Sequence, residues 1–219
     1  MSNNKFYPNS WRAKMYKCRF FAMLVITLVI GLFSNVANVK AETLPDISKH
    51  WARSEIELLI NAHIVEGRTS NTGKKLFYPE AKITRAEFVV MLVNALKITP
   101  VINGSISHYE DTLKHWAAPF IEAATSAKIT GGVGDGKFSP NEPITRYEIA
   151  VMIVRSKHWK DSGNAQPFKD VDKEFWAYPE IMVAHNHGII SGDEYNNFVP
   201  FHNATRAETA AIVARMLYL

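Results

Sequence analysis

The chain has 219 residues, a formal net charge of +4 and a single cysteine, Cys18. Six of its 25 lysine and arginine residues, but none of its 21 aspartate and glutamate residues, lie in the first 41 positions, which leaves 19 basic against 21 acidic residues in the remainder. The basic balance therefore gives no argument for nucleic-acid binding, and a remainder without cysteine excludes disulfides and thiol chemistry.

Residues 1–41 have the pattern of an export signal. Basic residues precede an apolar run, Phe20–Phe33, which is too short to span a bilayer comfortably, and Val39–Ala41 offers a small-residue cleavage site. We expect a secreted protein that begins near Glu42 and has no stable membrane span after cleavage. Because Lys40 is bulky in such a site, a retained signal anchor is the alternative.

Three tandem repeats of about 60 residues follow, and they are expected at residues 42–103, 104–164 and 165–219. Aligning the tryptophans of the segments HWA, HWA and FWA brings the other shared residues into register. The first repeat needs four more residues than the others between glycine and phenylalanine, which places an insertion within Arg68–Leu76. The matched residues are Trp51, Trp116 and Trp176; Ile56, Ile121 and Ile181; Gly67, Gly132 and Gly192; Phe77, Phe138 and Phe198; Pro79, Pro140 and Pro200; Thr84, Thr145 and Thr205.

Each repeat is predicted to contain two helices joined by a long loop. Apolar residues after the tryptophan recur at three- and four-residue steps, as at Ile56, Leu59 and Ile60, and this first helix is expected to end at the shared glycine. The second helix is expected to start at the shared threonine, where Thr84-x-x-Glu87 and its two copies form a capping box. Whether the loop contains a strand pair stays open. Two helices bury little apolar surface alone, so the repeats are expected to pack into one body.

Residues 44–219 resemble three copies of the S-layer homology domain. The resemblance rests on an aspartate before the aromatic-Trp-Ala segment, the glycine sixteen residues after the tryptophan, the Phe-x-Pro loop and the ITRAE-type start of the second helix. It implies a mainly α fold in which three helix-loop-helix repeats form one pseudo-threefold helical spindle. It also implies a secreted, non-catalytic protein of the cell wall or S-layer that binds anionic secondary cell-wall polysaccharide, a peptidoglycan-linked glycan often bearing pyruvate, in grooves between repeats. No cofactor is expected. The alternative is an assembly or adaptor protein that contacts other envelope proteins.

The arginines that follow the shared threonines, Arg85, Arg146 and Arg206, are the part of this motif that capping does not explain. They occupy the first helical position, where the helix dipole disfavours a cation by roughly a few tenths of a kcal/mol. A guanidinium beside free helix N–H groups suits an incoming carboxylate, such as the pyruvate that the resemblance implies. The alternative is a structural ion pair with an acidic residue of the adjacent repeat.

Three further sets of matched residues are candidates for polysaccharide binding. The tryptophans either cover the core, which is the commoner role, or offer an indole face to a sugar ring. The aspartates either accept hydrogen bonds from sugar hydroxyls or cap the first helices. The glycines serve backbone geometry, to which the resemblance adds close approach of a ligand. The sets are Trp51, Trp116 and Trp176; Asp46, Asp111 and Asp170; Gly67, Gly132 and Gly192.

The third repeat departs from the shared pattern in three ways. Phe175 replaces the histidine before the tryptophan, Ala204 replaces the isoleucine before the threonine, and the spacing from Asp170 to Trp176 is six residues instead of five. Since the first repeat also carries its insertion, the competence of the grooves beside these changes stays open.

The histidines do not favour a metal or catalytic site. On a helix, His185 and His187 would point about 200° apart, and no third ligand accompanies them. His50 and His115 precede the tryptophans in matched positions, which favours a structural role. No nucleophile elbow or phosphate-binding glycine loop is recognisable. We therefore predict no metal and no enzyme, with a metal-dependent hydrolase built around the histidines as the alternative.

Overall fold

The part of the chain described by a computed structural model, residues 44–102, 107–160 and 168–218, is mainly helical. It belongs to one unit that spans Glu42–Leu219. The export signal predicted at residues 1–41 lies outside the described residues. In the described ranges, no helix is long and apolar enough to cross a membrane. The helices are α1 (Arg53–Asn61), α2 (Arg85–Ala95), α3 (Ala118–Ser126), α4 (Arg146–Lys157), α5 (Tyr178–Asn186) and α6 (Arg206–Leu217).

The first helix of each repeat ends well before the shared glycine, so the predicted glycine cap is wrong. The chain instead turns at the second residue after each helix, which is left-handed: His63 (φ 56°), Lys128 (φ 57°) and Gly188 (φ 68°). In the residue after His63, the amide of Ile64 donates to the carbonyl of Leu59 at 2.9 Å, as in a Schellman turn. Only the third repeat has glycine at this position, which is why sequence matching did not identify it.

The second helix of each repeat starts as predicted, with a capping box. The amide of Glu87 donates to Thr84 Oγ1 at 3.2 Å, and the Glu87 carboxylate accepts from the Thr84 amide at 3.1 Å. Capping boxes are also present at Thr145 and Thr205. These helix starts are therefore specified by local sequence.

The repeats pack together in a closed cycle of contacts. Helix α2 packs on α3, α4 on α5 and α6 on α1, so each second helix lies against the first helix of the next repeat and the third repeat returns to the first. Backbone hydrogen bonds close the same cycle: Ile83 N donates to Ala204 O at 3.2 Å, Ile144 N to Ile83 O at 3.0 Å and Ala204 N to Ile144 O at 3.0 Å. All three residues are buried. Ala204 therefore keeps its place in the cycle although it replaces an isoleucine.

The insertion in the first repeat forms a small β-hairpin. Strand β1 (Arg68–Thr69) pairs antiparallel with strand β2 (Lys75–Leu76). The predicted position of the insertion is thus confirmed, and the hairpin extends the loop that precedes Phe77.

The Phe-x-Pro loops are held by the matched aspartates. In each loop the phenylalanine is buried and the next residue is left-handed, including the β-branched Val199 at φ 54°, a conformation that such residues rarely adopt. In the second repeat, Asp111 accepts from the amides of Phe138 at 2.9 Å and Ser139 at 2.8 Å. Asp46 and Asp170 make the same pair of bonds in their own repeats.

The predicted alternative that these aspartates cap the first helices is wrong. The residues before α1, α3 and α5 are Ala52, Ala117 and Ala177, and none makes a side-chain capping bond. Asp170 keeps both loop bonds in spite of its longer spacing to Trp176.

Asp111→Asn should lower the free energy of unfolding by about 1 kcal/mol, because an amide nitrogen would face one of the two loop N–H groups that the carboxylate now accepts. Asp135→Asn is the matched control, since Asp135 is an exposed aspartate in the same repeat and the change alters the net charge equally. Urea unfolding of the two variants measures the difference, and equal midpoints would contradict the assigned role.

Candidate functional site

The first amides of each second helix already have partners. Arg85 N donates to Glu142 O at 2.9 Å and Ala86 N to Pro140 O at 3.0 Å, while the capping threonine accepts from the third amide. The corresponding donors and acceptors are Arg146 with His202, Tyr147 with Pro200, Arg206 with Ala81, and Ala207 with Pro79. The prediction of free N–H groups waiting for a carboxylate is therefore wrong, because the loop of the next repeat supplies carbonyl oxygens to them.

The side chain of Arg85 donates hydrogen bonds to two carbonyl groups in the loop between the two helices of the next repeat. Its Nε donates to Phe138 O at 3.0 Å and its Nη2 contacts Gly131 O at 3.4 Å. Its Nη1 donates to Glu148 Oε1 at 2.8 Å, and the guanidinium lies over the Phe138 ring, 4.8 Å from its centroid. These acceptors offset the unfavourable helix dipole, so the structural alternative describes the contacts that Arg85 makes.

Arg146 repeats the backbone contacts of Arg85 with a weaker ion pair. It donates to Phe198 O at 2.8 Å and to Ser191 O at 2.9 Å. The nearest oxygen of Glu208 lies 4.0 Å from its Nη1. Burial lowers the pKa of Arg146, and Glu208 opposes that shift.

Arg206 also repeats the backbone contacts, but its carboxylate counterpart is bound elsewhere. It donates to Phe77 O at 2.9 Å and to Glu66 O at 3.1 Å. Glu87 is instead bound by Arg68 of the hairpin. Burial lowers the pKa of Arg206 to about 10, and the nearby positive charge of Arg68 adds to that shift. Across the described ranges, no carboxylate oxygen lies within the 4.0 Å ion-pair limit of the Arg206 guanidinium.

Three cavities lie beside these arginines, and each collects residues from all three repeats. One repeat provides the shared glycine and the capping-box glutamate, the preceding repeat provides the arginine, and the following repeat provides the tryptophan. We name them grooves 1, 2 and 3; their volumes are about 350, 370 and 410 Å³. Groove 1 contains Gly67, Glu87, Arg206 and Trp116; groove 2 contains Gly132, Glu148, Arg85 and Trp176; groove 3 contains Gly192, Glu208, Arg146 and Trp51.

The tryptophans are exposed at the groove edges. Trp51 and Trp116 are each 61% exposed and Trp176 is 57% exposed, so none of them is a core residue. The matched aspartates are absent from the residues that line the grooves, since their carboxylates face the Phe-x-Pro loops. The grooves therefore bring together the predicted arginines, tryptophans and glycines, but not the predicted aspartates.

Comparison with known proteins assigns the family. The family model described as the S-layer homology domain matches residues 43–89, 108–150 and 167–210, together more than half of the chain. The chain belongs to the S-layer homology domain family. Each of the three matched segments lies within one of the three predicted repeats.

Several relatives carry S-layer homology domains within longer chains. The chain is 37% identical over 185 residues to an amylopullulanase of Thermoanaerobacterium thermosulfurigenes, covering 80% of the chain and 10% of that protein. It is 35% identical over 153 residues to a cellulosome-anchoring protein of Acetivibrio thermocellus, covering 65% and 33%. It is 28% identical over 210 residues to the S-layer protein sap of Bacillus anthracis, covering 93% and 25%.

The S-layer homology domain is an anchoring module, and the protein is a cell-surface, cell-wall-associated protein. The chain spans between a tenth and a third of the length of the three relatives described above. The activities of those whole proteins are therefore not carried over to this chain.

The groove glycines of these S-layer homology repeats are required by space and not by a positive φ. A Cβ on Gly132 would lie 2.6 Å from Lys137 O and 2.8 Å from Tyr109 Cε1, while the neighbouring Gly131 has nothing within 4 Å. A Cβ on Gly192 would likewise lie 2.9 Å from Asn197 O, whereas a Cβ on Gly67 would lie 2.9 Å from the Leu44 side chain and 3.1 Å from Leu76 O. The glycine thus lets the two sides of the loop approach each other.

Gly132→Ala should destabilise the protein by about 1–3 kcal/mol, because the backbone oxygen that it would meet belongs to the same tight loop and has little room to move. Gly131→Ala, one residue away, should leave the free energy of unfolding within about 0.5 kcal/mol of wild type. Thermal and urea unfolding test the pair, and a stable Gly132→Ala variant would show that the loop is not as close-packed as described.

The matched histidines and His187 contact neighbouring residues, whereas His63 and His202 line grooves 1 and 3. His50 Nε2 lies 2.7 Å from Glu80 Oε1, and its Nδ1 accepts from the Ala52 amide at 3.1 Å. His115 makes the equivalent contacts with Asn141 and Ala117. His187 stacks on Trp159 with ring centroids 3.8 Å apart. Within the described part of the chain, no group of three or more potential metal ligands is found.

Several groove residues were missed by the sequence analysis. Tyr147 lines groove 2, Arg155 and Arg215 line grooves 2 and 3 from matched positions of α4 and α6, and Arg68 lines groove 1 from the hairpin. Tyr147 stands where the other S-layer homology repeats have alanine, which was a visible signal. The role of Arg68 had no such signal, because it follows from the hairpin's position beside Glu87.

Proposed function

We propose that the protein is a non-catalytic anchor that attaches non-covalently to the bacterial cell wall by binding an anionic, pyruvylated secondary cell-wall polysaccharide in grooves 1 to 3. The observation that carries this proposal is the shared composition of the grooves. Each is lined by an exposed indole and by a guanidinium that backbone carbonyls hold in place, buried at Arg85 and Arg206 and partly buried at Arg146.

The two groups suit the two parts of such a ligand. An indole face packs on the apolar C–H face of a pyranose ring, and a guanidinium forms charge-assisted hydrogen bonds to a carboxylate. The exposed tryptophans leave room for the first contact. The guanidiniums are pre-oriented by their bonds to the loops, so little side-chain freedom remains to be lost on binding.

The grooves differ in how far the arginine is already neutralised. Arg85 in groove 2 is paired with Glu148 at 2.8 Å, whereas the pair in groove 3 is at 4.0 Å and Glu87 in groove 1 is bound by Arg68. Since a carboxylate gains most where the cation lacks a close partner, grooves 1 and 3 are the expected sites for the pyruvate group. Relatives named as S-layer and cellulosome-anchoring proteins support the wall as the partner.

Binding of the secreted protein to purified cell walls should fall by at least roughly tenfold after mild acid has removed ketal-linked pyruvate, because a charge-assisted contact of more than about 1.4 kcal/mol is lost. Co-sedimentation with treated and untreated walls measures the change. Walls mock-treated at neutral pH are the control. Undiminished binding to the stripped walls would contradict the carboxylate mechanism.

Replacing Trp51, Trp116 and Trp176 together by alanine should weaken wall binding by at least roughly tenfold and leave the melting temperature almost unchanged, since the indoles are more than half exposed. The matched control is Ile102→Ala, Leu113→Ala and Tyr218→Ala, which removes three side chains of similar exposure outside the grooves. Normal wall binding by the tryptophan variant, with retained pulldown of other envelope proteins, would favour an adaptor.

A further inference from the structure

Repeat 3 carries an aromatic pair where the other repeats carry a polar pair. In repeats 1 and 2 the residue before the tryptophan is a histidine that contacts the residue three after the loop phenylalanine, as His115 Nε2 contacts Asn141 Oδ1 at 3.1 Å. The matched residues of repeat 3 are Phe175 and Phe201, whose ring centroids lie 5.5 Å apart. A polar contact has thus been replaced by an apolar one at the same place.

A third aromatic residue, which belongs to repeat 2, packs against this pair of phenylalanines. Tyr147, the second residue of α4, stands where α2 and α6 have Ala86 and Ala207. Its amide donates to Pro200 O at 3.0 Å, which brings its ring to 5.3 Å from Phe175 and 5.6 Å from Phe201. Three positions in two repeats therefore differ together and in the same chemical direction.

These rings extend to the groove tryptophan. Tyr147 and Trp176 meet edge to face, 5.7 Å apart with planes at 90°, and Phe175 lies 5.9 Å from Trp176. Phe201 is 67% exposed and Trp176 57% exposed. Tyr147, Phe175, Trp176 and Phe201, here called the aromatic cluster, therefore pack edge to face or tilted against one another and present apolar ring surface to solvent.

The aromatic cluster is continuous with groove 2. Tyr147 and Trp176 line that cavity, together with Arg85 and Glu148. Arg85 is 4% exposed and its Nη1 is bonded to Glu148, and the second arginine of this groove, Arg155, lies 4.0 Å from Glu180, so the shared arginine here is the one with a close carboxylate partner. The chemistry of groove 2 therefore differs from that of grooves 1 and 3.

We propose that groove 2 and the aromatic cluster bind uncharged sugar residues of the wall polysaccharide, through stacking of pyranose C–H faces on Tyr147, Trp176 and Phe201. This inference rests on the proposed function, since it divides one polysaccharide between neutral and anionic subsites. Grooves 1 and 3 take the pyruvylated residues. One chain thereby binds both the pyruvylated and the unsubstituted sugar residues of the glycan.

A glycan fits this surface better than a protein partner. The surface opens from a cavity of about 370 Å³, which is of small-ligand size. A stable protein interface needs about 800 Å² from each partner, and four rings with a small cavity supply only part of that area. Paired rings that flank a cavity containing a few polar groups are suited to an amphipathic ring such as a sugar.

The test replaces the aromatic cluster by the residues of the other repeats. The variant Tyr147→Ala, Phe175→His, Phe201→Asn installs the set that Ala86, His115 and Asn141 form between repeats 1 and 2, so the fold already contains a compatible example. The single variant Phe201→Asn changes only a mostly exposed ring and guards against a folding defect. The control is the variant Ile102→Ala, Leu113→Ala, Tyr218→Ala.

The probes are secondary cell-wall polysaccharide with pyruvate and the same material stripped by mild acid, titrated against secreted protein by calorimetry. We expect wild type to retain weak binding to the stripped polysaccharide and the triple variant to lose at least roughly fivefold of it, with Phe201→Asn losing about half as much on a logarithmic scale. Binding of the pyruvylated polysaccharide should fall by no more than this factor, because the contacts of the pyruvate groups in grooves 1 and 3 are unchanged.

The outcomes separate this inference from the proposed function. A wild-type preference for the pyruvylated form, with no wild-type binding of the stripped form, keeps the anionic anchor and overturns the neutral subsite. Unchanged binding of the stripped form by both variants also overturns it. If the variants lose an envelope protein in pulldown and no glycan, the aromatic cluster is a protein interface instead. Equal wild-type affinity for both polysaccharides contradicts the carboxylate mechanism alone.

Discussion

The closed cycle of backbone hydrogen bonds among Ile83, Ile144 and Ala204 is the constraint on which the remaining structure depends. It brings the starts of the three second helices to one place, so each arginine lies beside the loop of the next repeat. The same arrangement puts the tryptophan of the following repeat at the groove edge. Each groove is therefore complete only when all three repeats are packed together, because every groove contains residues of all three.

The positive charge of an arginine at the N-terminus of each second helix is explained by its contacts with the next repeat. The Arg85 guanidinium donates hydrogen bonds to two loop carbonyls and a carboxylate, and it lies over the face of Phe138. Together these contacts outweigh the unfavourable helix dipole, which costs roughly a few tenths of a kcal/mol. The arginines thus hold the repeats together whether or not a ligand is present. Replacing them would alter stability as well as binding, so the exposed tryptophans are the cleaner probes of function.

Local features of the sequence predicted local structure well. The threonine and glutamate of each capping box, the repeat spacing and the position of the insertion follow from contacts within a few residues or from internal comparison, whereas the strand pair that the insertion forms was left open. The errors at the aspartates and at the helix N-termini concerned partners distant in sequence. Asp111 bonds the backbone of Phe138 and Ser139, and the amide of Arg85 is met by Glu142 of another repeat. Contacts between residues far apart in sequence depend on how the repeats pack. That packing cannot be derived from local patterns in a single sequence.

The return of α6 to α1 sets a rule for how such an assembly could change in size. In an open array of repeats, one unit can be gained or lost at an end, because each unit contacts only its neighbours. In a closed cycle, losing one unit would uncover a helix face on each side, and gaining one would break an existing pair. The number of grooves in this architecture is therefore fixed by the whole cycle of three repeats. Duplication of all three repeats together is the change that preserves every contact.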